Sequence, residues 1–213
     1  MPDVVARIAA GRPVSAVWRN ELGGLTFRID GGAEYVKTGA GGFDGEAARL
    51  AWAAPYVVVP RVLSHDADWL HTAGLAGQSA VHPDWVARPG LAARAIGAGL
   101  RRLHDALPVD SCPWVRPALA DAPPVDRLVV CHGDACAPNT LIDHDGRCCG
   151  HVDLGALGVA DRWADLAVAT LSLGWNYPGS WEDELLSAYG VERDSERIDY
   201  YRRLWDAPDH DGG

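Results

Sequence analysis

The hydrophobic pattern of the chain changes near residue 75, and this change constrains the fold more than any other feature of the sequence. Before it, apolar residues fall in short runs typical of β-strands, separated by Gly-Gly pairs that mark turns. After it, apolar residues recur at the three- and four-residue spacing of an amphipathic helix. The sequence therefore predicts an α+β protein of two lobes, a small β-rich lobe over residues 1–74 and a larger helical lobe over residues 75–213.

The N-terminal lobe is predicted to contain a β-sheet and one helix. The expected strands lie at 13–18, 24–30, 33–38, 56–63 and 66–73. The helix is expected after the third strand, where Asp44 can cap its N-terminus and Pro55 ends it. Apolar residues in this segment follow one another at helical spacing, at Ala47, Leu50, Ala51 and Ala54.

The C-terminal lobe is predicted to begin with a long helix over residues 91–107. Five apolar residues form one stripe along it, Leu91, Ile96, Leu100, Leu103 and Leu107, so the helix should pack against a core. Residues 108–126 are rich in Pro and Asp and are predicted to be irregular. Further strands are expected at 127–131, 139–143 and 148–153, and further helices at 161–173, 180–190 and 194–205. Two lobes of this kind predict a ligand held in a cleft between them.

Composition excludes several classes of protein. The formal net charge of −10 disfavours nucleic-acid binding and is compatible with a cationic ligand. No apolar run approaches the roughly 20 residues of a membrane span, and the N-terminal segment lacks the apolar core of a signal peptide. The five cysteines are odd in number and two of them are adjacent, which indicates free thiols in a reduced compartment. We therefore expect a cytoplasmic protein with no membrane partner.

The polar segment from residue 129 to residue 167, VVCHGDACAPNTLIDHDGRCCGHVDLGALGVADRWADLA, permits two kinds of site. In the first, zinc is held by some of the thiol and imidazole groups of Cys131, His132, Cys136, Cys148, Cys149 and His151. The spacing disfavours it, because neither half contains a C-x2-C pair and adjacent strand residues point to opposite faces. Small buried fillers are the better interpretation of Cys131, Cys148 and Cys149.

The second kind of site uses oxygen. HGDACAPN places Asp134 and Asn139 on one loop between two predicted strands, and Asp153 follows at the end of a strand in GHVDLG. Phosphoryl transfer needs a carboxylate that positions the attacking hydroxyl and takes its proton, together with oxygen ligands for magnesium. Asp134 suits the first role, and Asn139 and Asp153 suit the second.

These motifs resemble those of the aminoglycoside phosphotransferases, more closely the aminoglycoside 3'-phosphotransferases, which have a protein-kinase-like fold. HGDACAPN resembles the catalytic loop of that family, and HVDLGALGVADRWADLA resembles its metal-binding segment and the helix that follows. The resemblance implies Asp134 as the catalytic base and Asn139 and Asp153 as magnesium ligands. It also implies that His132 shapes the loop, and that three residues stabilise the core of the helical lobe without contacting substrate: Asp161, Arg162 and Asp165.

The resemblance extends to the N-terminal lobe, where it implies an ATP site. Lys37, the single lysine of a chain that otherwise uses arginine, matches the strand lysine that holds the α- and β-phosphates in this fold. Glu46 matches the helix glutamate that orients it, although an acid at a helix N-terminus is also favoured by the helix dipole alone. WLHTAGLAG resembles the segment that joins the lobes, so backbone groups of residues 72–75, including Thr72 and Gly74, are expected to bind adenine.

The chain departs from the family between CPW at 112–114 and LVVCHGD at 128–134, where its relatives carry a longer segment that forms part of the acceptor site. The identity of the acceptor is therefore the open question. A cationic acceptor needs carboxylates, and the candidates besides Asp134 are Glu182, Asp183, Asp206 and Asp209.

Three functions are compatible with these residues. The favoured one is an ATP-dependent kinase that uses magnesium and acts on a hydroxyl of an aminoglycoside or similar amino sugar, at the 3'-hydroxyl. The second is a kinase for another small hydroxyl metabolite, such as a sugar or an amino alcohol. The third is a nucleotide-binding protein that has lost transfer activity.

Overall fold

The computed structural model describes residues 1–20, 23–116 and 121–207, and it divides into two compact units. Unit 1 comprises Met1–Pro55 and Val59–Leu75, and unit 2 comprises Tyr56–Val58 and the chain from Ala76 onward. The first unit is built mainly from strands and the second mainly from helices. The predicted α+β fold class is confirmed.

Unit 1 contains an antiparallel sheet with the strand order β1-β2-β3-β5-β4. Its strands are β1 (Val14–Arg19), β2 (Leu25–Ile29), β3 (Glu34–Thr38), β4 (Val62–Asp66) and β5 (Trp69–Ala73). The helix α1 (Asp3–Ala9) precedes the sheet, and α2 (Phe43–Ala53) joins β3 to β4. The central position of β3, between β2 and β5, fixes the backbone on which Lys37 stands.

Helix α1 has no counterpart among the predicted elements. It packs on the sheet through Val5 and Ala9, which form a buried cluster with Phe27, Ile29 and Val36. Seven residues give a short helix with little intrinsic stability, so this apolar contact is what holds it.

Two predictions for unit 1 were wrong in detail. Helix α2 begins at Phe43 after Gly42, whose φ is 85°, so Asp44 lies inside the first turn and is not the cap residue. The strand predicted over 56–63 begins only at Val62. Residues 56–58 do not join the sheet, because they pack with unit 2. There the carbonyl oxygen of Val58 accepts a hydrogen bond of 3.1 Å from the backbone N–H of His151.

Unit 2 is organised around the predicted long helix, observed as α4 (Pro89–Ala106). The short helix α3 (Pro83–Val86) precedes it, and α5 (Trp163–Asn176), α6 (Glu182–Tyr189) and α7 (Ser195–Trp205) complete the helical part. All four predicted helices of this unit are confirmed with boundaries shifted by a few residues. Helix α4 packs most extensively against α6, and the middle of α5 is buried.

Short strands in unit 2 carry the loops of interest. One sheet consists of β6 (Gln78–Ser79), β8 (Thr140–Ile142) and β9 (Cys148–His151), and the other pairs β7 (Leu128–Cys131) with β10 (Gly158–Asp161). The loop from residue 132 to residue 139 connects β7 to β8, and residues 152–157 connect β9 to β10. Each of these loops therefore has one end on each sheet.

The segment predicted to be irregular contains a 3-10 turn at Val109–Ser111 and an isolated parallel bridge between Val115 and Val159. Among the helices of the described ranges, none combines the length and the hydropathy required to cross a bilayer.

Candidate active site

Asp134 and Asn139 are joined directly in the loop that follows β7. A 3-10 turn at Ala137–Asn139 folds the chain back, and the side-chain amide of Asn139 then donates to Asp134 twice. Its Nδ2 lies 3.0 Å from the carbonyl oxygen and 3.0 Å from Oδ2 of Asp134. Because both contacts use the nitrogen, the oxygen Oδ1 of the Asn139 amide is directed to the opposite side.

The antiparallel pairing of β8 with β9 brings Asn139 and Asp153 to the same end of one hairpin. Asn139 lies immediately before β8 and Asp153 two residues after β9, and Thr140 is paired with His151. The backbone N–H of Val152 extends this pairing by donating to the carbonyl oxygen of Asn139 over 3.0 Å. The φ of Asp153 is 66°, a left-handed conformation that few non-glycine residues adopt. Such strained positions are concentrated at functional sites.

The carboxylate of Asp134 is only partly satisfied within the described residues. Its Oδ1 atom is buried and has no hydrogen-bond partner there. The neighbouring Cys136 thiol has a strongly raised pKa, first because of burial and second because of the negative charge of Asp134, with a smaller contribution from Asp153. Two carboxylates thus act on the same small region, and the three side chains assigned to the site, Asp134, Asn139 and Asp153, offer oxygen ligands. This set fits magnesium, which prefers carboxylate and carbonyl oxygen.

His132 links the two loops. Its Nε2 lies 3.0 Å from the carbonyl oxygen of Val152, and the backbone N–H of Asp134 lies 3.3 Å from its Nδ1. These contacts require the proton on Nε2, so that Nε2 donates and Nδ1 accepts. The side chain that the sequence assigns to shaping the loop therefore bridges the residues next to Asp134 and Asp153.

The base of the Asp134 loop is held by a buried carboxylate on α5. Asp165 accepts hydrogen bonds from the backbone N–H groups of His132, at 2.6 Å, and of Gly133, at 2.9 Å. Burial would raise the pKa of Asp165, but the hydrogen bond from His104, its charge and the backbone contacts outweigh burial and lower the pKa to about 2. Asp165 therefore stabilises the Asp134 loop as well as the core.

His104 and Tyr189 complete this network, and no sequence pattern indicated a role for either residue. The His104 Nε2 atom lies 3.0 Å from Asp165 Oδ2, and its Nδ1 lies 2.8 Å from the hydroxyl of Tyr189. The Nε2 atom of the imidazole thus faces the carboxylate, and its Nδ1 faces the Tyr189 hydroxyl.

The other two residues assigned to the core, Asp161 and Arg162, contact neighbouring protein groups, and their having no contact with substrate stays a prediction. The Asp161 carboxylate accepts from the backbone N–H of Trp163, the first residue of α5, at 3.0 Å, and it also accepts from the N–H of Asp126 at 2.8 Å. Arg162 pairs with the Asp126 carboxylate at 2.6 Å.

In unit 1, Lys37 and Glu46 form an ion pair. Nζ of Lys37 lies 2.7 Å from Oε1 of Glu46, and the exposed fractions of the two side chains are 24% and 7%. Helix α2 thus provides a buried carboxylate that orients the lysine of β3 although only nine residues separate them in sequence. The contact that the sequence predicted is present, and the role of both residues toward a nucleotide stays a prediction.

The segment predicted to bind adenine is tied into the sheet by two of its amides. The N–H of Ala73 donates to the carbonyl oxygen of Arg61 at 2.9 Å, and the N–H of Gly74 donates to that of Ala33 at 2.8 Å. A Cβ atom at Gly74 would overlap the carbonyl oxygen of Gly32. Thr72 is buried on β5. The N–H groups of Ala73 and Gly74 are therefore engaged within the protein, and the binding of adenine by this segment stays a prediction.

The sulfur alternative is not supported by the positions of the thiols. All five cysteines lie within the described residues and are free. The Cys131 thiol is buried against the carbonyl oxygen of Asp161, and the Cys149 thiol contacts the carbonyl oxygen of Ala76. Within the described ranges, the ligand atoms of one trio of His, Cys and Asp side chains lie within 4.8 Å of one another: His104, Cys131 and Asp165. Both imidazole nitrogens and both carboxylate oxygens of that trio already have hydrogen-bond partners.

Of the candidate carboxylates for a cationic acceptor, Glu182 is engaged elsewhere. It forms ion pairs of 2.9 Å with both Arg193 and Arg202, which indicates a structural role. Asp183 also contacts Arg193 but remains 83% exposed, and Asp206 is exposed at the end of α7. Asp209 lies outside the described residues.

The fold and the site define a class of protein, the kinase-like phosphotransferases. Residues 110–201, which contain the Asp134 loop, Asp153 and α5, match the model of the phosphotransferase enzyme family. A solved structure with the same fold, aminoglycoside phosphotransferase APH(3'')-Id from Streptomyces rimosus in complex with ADP and streptomycin, superposes with a TM-score of 0.72 at 26% identity. That match covers 96% of this chain and 98% of the other.

Curated relatives narrow the class. The chain is 31% identical to an aminoglycoside 3'-phosphotransferase of Streptomyces fradiae, over 89% of this chain and 92% of the relative. It is also 31% identical to a streptomycin 3''-kinase of Streptomyces griseus, over 89% of this chain and 90% of the relative. The chain belongs to the aminoglycoside phosphotransferase family and is an enzyme of that family.

Proposed function

We propose that the protein transfers the γ-phosphate of ATP to a hydroxyl of an aminoglycoside, at the 3' position. The observation that carries the proposal is the hairpin β8–β9, which places Asn139 and Asp153 together while Asn139 holds Asp134 through two hydrogen bonds. The names of the relatives support the substrate class, since they act on aminoglycosides at 3' or 3'' hydroxyls.

Asp134 acts as the catalytic base. Asn139 fixes its Oδ2, while the buried Oδ1 has no partner within the described residues and is suited to accept the proton of a substrate hydroxyl. As that proton passes to Asp134, the hydroxyl oxygen bonds to the γ-phosphorus and the bond to the bridging oxygen of ADP breaks.

Asn139, through Oδ1, and Asp153, through its carboxylate, would hold magnesium. Bound there, the metal would supply positive charge that offsets the negative charge developing on the phosphates during transfer. The chain contributes two hard oxygen ligands from the two segments that flank one hairpin, so their spacing depends on the backbone pairing of β8 with β9.

Lys37 contacts the α- and β-phosphates, oriented by Glu46, and backbone groups of residues 72–75 contact adenine. The ion pair of 2.7 Å keeps the ammonium group in one position before nucleotide binds, which lowers the entropic cost of binding. The carboxylates that bind the ammonium groups of the acceptor include Asp134, and its binding should weaken as salt is raised.

The test of the base is Asp134→Asn, with Asp145→Asn as the matched control on an exposed turn of the same unit. We expect turnover to fall at least about a hundredfold in the first variant. ATP affinity, measured by calorimetry, should stay close to wild type, and the control should be fully active. Turnover near the wild-type value in Asp134→Asn would remove Asp134 from this role.

The acceptor is tested by phosphorus NMR of the products formed from kanamycin-like and neomycin-like aminoglycosides. Phosphate on the 3'-hydroxyl supports the proposal, and phosphate on a 3''-hydroxyl would retain the family activity but refute the proposed position. ATP binding with no product from any aminoglycoside would favour another small hydroxyl acceptor or the loss of transfer.

A further inference from the structure

The segment that follows Trp114 is fixed along β10. The backbone N–H of Arg116 donates to the carbonyl oxygen of Val159 at 3.0 Å, and the N–H of Val159 donates to that of Trp114 at 2.8 Å. Val115 forms the parallel bridge to Val159 between these two bonds. Arg116 thus stands on a short extended stretch whose position relative to β10 is set by backbone hydrogen bonds.

The side chain of Arg116 reaches both loops of the candidate site. Its Nη1 atom lies 3.0 Å from the carbonyl oxygen of Gly133 and 3.0 Å from the carbonyl oxygen of Ala156. Gly133 immediately precedes Asp134, and Ala156 is three residues after Asp153. A guanidinium nitrogen carries two hydrogens and a permanent positive charge, so one atom can bind both carbonyl groups.

Glycine at position 133 is what makes this approach possible. Its φ is 88°, and a Cβ atom there would overlap both the carbonyl oxygen of Ala156 and Nη1 of Arg116. The two loops therefore meet backbone to backbone, with the half-buried guanidinium group of Arg116 between their carbonyl groups.

The Asp134 loop and the Asp153 loop have another connection, in which Val152 contacts His132 and Asn139. That connection lies before Asp153, whereas the Arg116 contact with Ala156 lies after it. Asp153 therefore stands between two attachment points, and the second depends on Arg116.

We propose that Arg116 is a positioning residue that fixes the loop of Asp153 relative to the loop of Asp134 and Asn139. The inference rests on the proposed function, because it concerns the spacing of the residues assigned there to metal and base. Within the described ranges, the side-chain hydrogen bonds of Arg116 go to these two backbone carbonyl groups, so it acts through the two loops.

The experiment compares Arg116→Met, which removes every donor, with Arg116→Lys, which keeps a charge and three donors on a shorter side chain. The matched control is Arg88→Met, because Arg88 also donates to a backbone carbonyl, that of Asp84, but is exposed at the start of α4. Hydrogen exchange without metal or nucleotide, turnover, and the magnesium concentration for half-maximal rate are measured for each protein.

For Arg116→Met we expect faster amide exchange in peptides covering 132–139 and 152–158, with unchanged exchange in α4. Turnover should fall at least about tenfold, since small displacements of reacting groups have effects of this size. The magnesium requirement should rise about tenfold, as for residues that support metal ligands. Arg116→Lys should recover part of each change, and Arg88→Met should show none.

Wild-type exchange and magnesium dependence in Arg116→Met would overturn the inference, and so would faster exchange throughout unit 2, which would mean general support of the fold. Asp134→Asn is assayed in parallel. If it stays active, the proposed function fails. If it is inactive while Arg116→Met resembles wild type, only the positioning role fails.

Discussion

Replacement of Asp165 by Asn should lower both the free energy of unfolding and the rate of turnover. The carboxylate is about 1% exposed and accepts three hydrogen bonds, from the backbone N–H groups of His132 and Gly133 and from Nε2 of His104. Asparagine offers one acceptor oxygen where the carboxylate has two. Its NH2 group, which is a donor, would then face another donor. Breaking a buried charged network of this kind costs about 3–5 kcal/mol.

Part of this loss depends on pH. The pKa of Asp165 is lowered from 3.8 to about 2, and at 1.36 kcal/mol per pKa unit this corresponds to on the order of 2 kcal/mol. Because the pKa is lower in the folded than in the unfolded protein, the ionised carboxylate stabilises the folded state at pH values above the unfolded pKa of 3.8. This stabilisation is lost as the pH falls from 3.8 toward the folded pKa of about 2. About half of it should be gone at pH 3.

The assay is urea unfolding of wild type and Asp165→Asn at pH 7, 5 and 3, with turnover measured at pH 7. The control is Asp161→Asn, a buried carboxylate whose bonds go to Asp126 and Trp163. We expect both variants to lose stability, but only Asp165→Asn to lose turnover. A stability difference below about 1 kcal/mol at pH 7 would refute the reasoning, and so would a difference that does not narrow between pH 5 and pH 3.

Three further predictions follow from single contacts. Glu46→Gln removes the ion pair with Lys37 and should weaken ATP binding about tenfold in a calorimetric titration; unchanged affinity would count against the pair. Gly74→Ala places a Cβ against the carbonyl oxygen of Gly32 and should lower stability by about 1–3 kcal/mol, measured by thermal unfolding; wild-type stability would contradict that contact. Glu182→Gln weakens the ion pairs with Arg193 and Arg202 and should lower stability while leaving the Michaelis constant for aminoglycosides unchanged. A raised Michaelis constant with unchanged stability would instead mean that Glu182 binds the aminoglycoside.

The sequence predicted elements where local pattern and tertiary role agree. The stripe of α4 and the hairpin β8–β9 are examples, since helical spacing and the DHDG turn each specify one structure. It failed at residues 56–58, where an apolar run with high β-propensity is used as a connection that meets His151. Strand propensity is overridden by such contacts because it reflects packing against neighbours more than backbone preference.

The site was predictable where its residues lie in one motif and not where they are distant. Asp134 and Asn139 are five residues apart, and their loop resembles that of a known family. His104 is 61 residues from Asp165 and 85 from Tyr189, so no local pattern indicates its contacts. Arg116 was missed for a related reason, because it binds carbonyl oxygens, which every residue possesses.

The ion pair of Lys37 with Glu46 has a practical consequence for chemical footprinting. Because Lys37 is the single lysine of the chain, an amine-selective acylating reagent has one side-chain target besides the terminal amine. The modified fraction of the peptide that contains Lys37 then reports the accessibility of this one ammonium group, with no background from other lysines. Protection of that peptide by nucleotide would read out occupancy directly, in a protein whose other cations are almost all guanidinium groups.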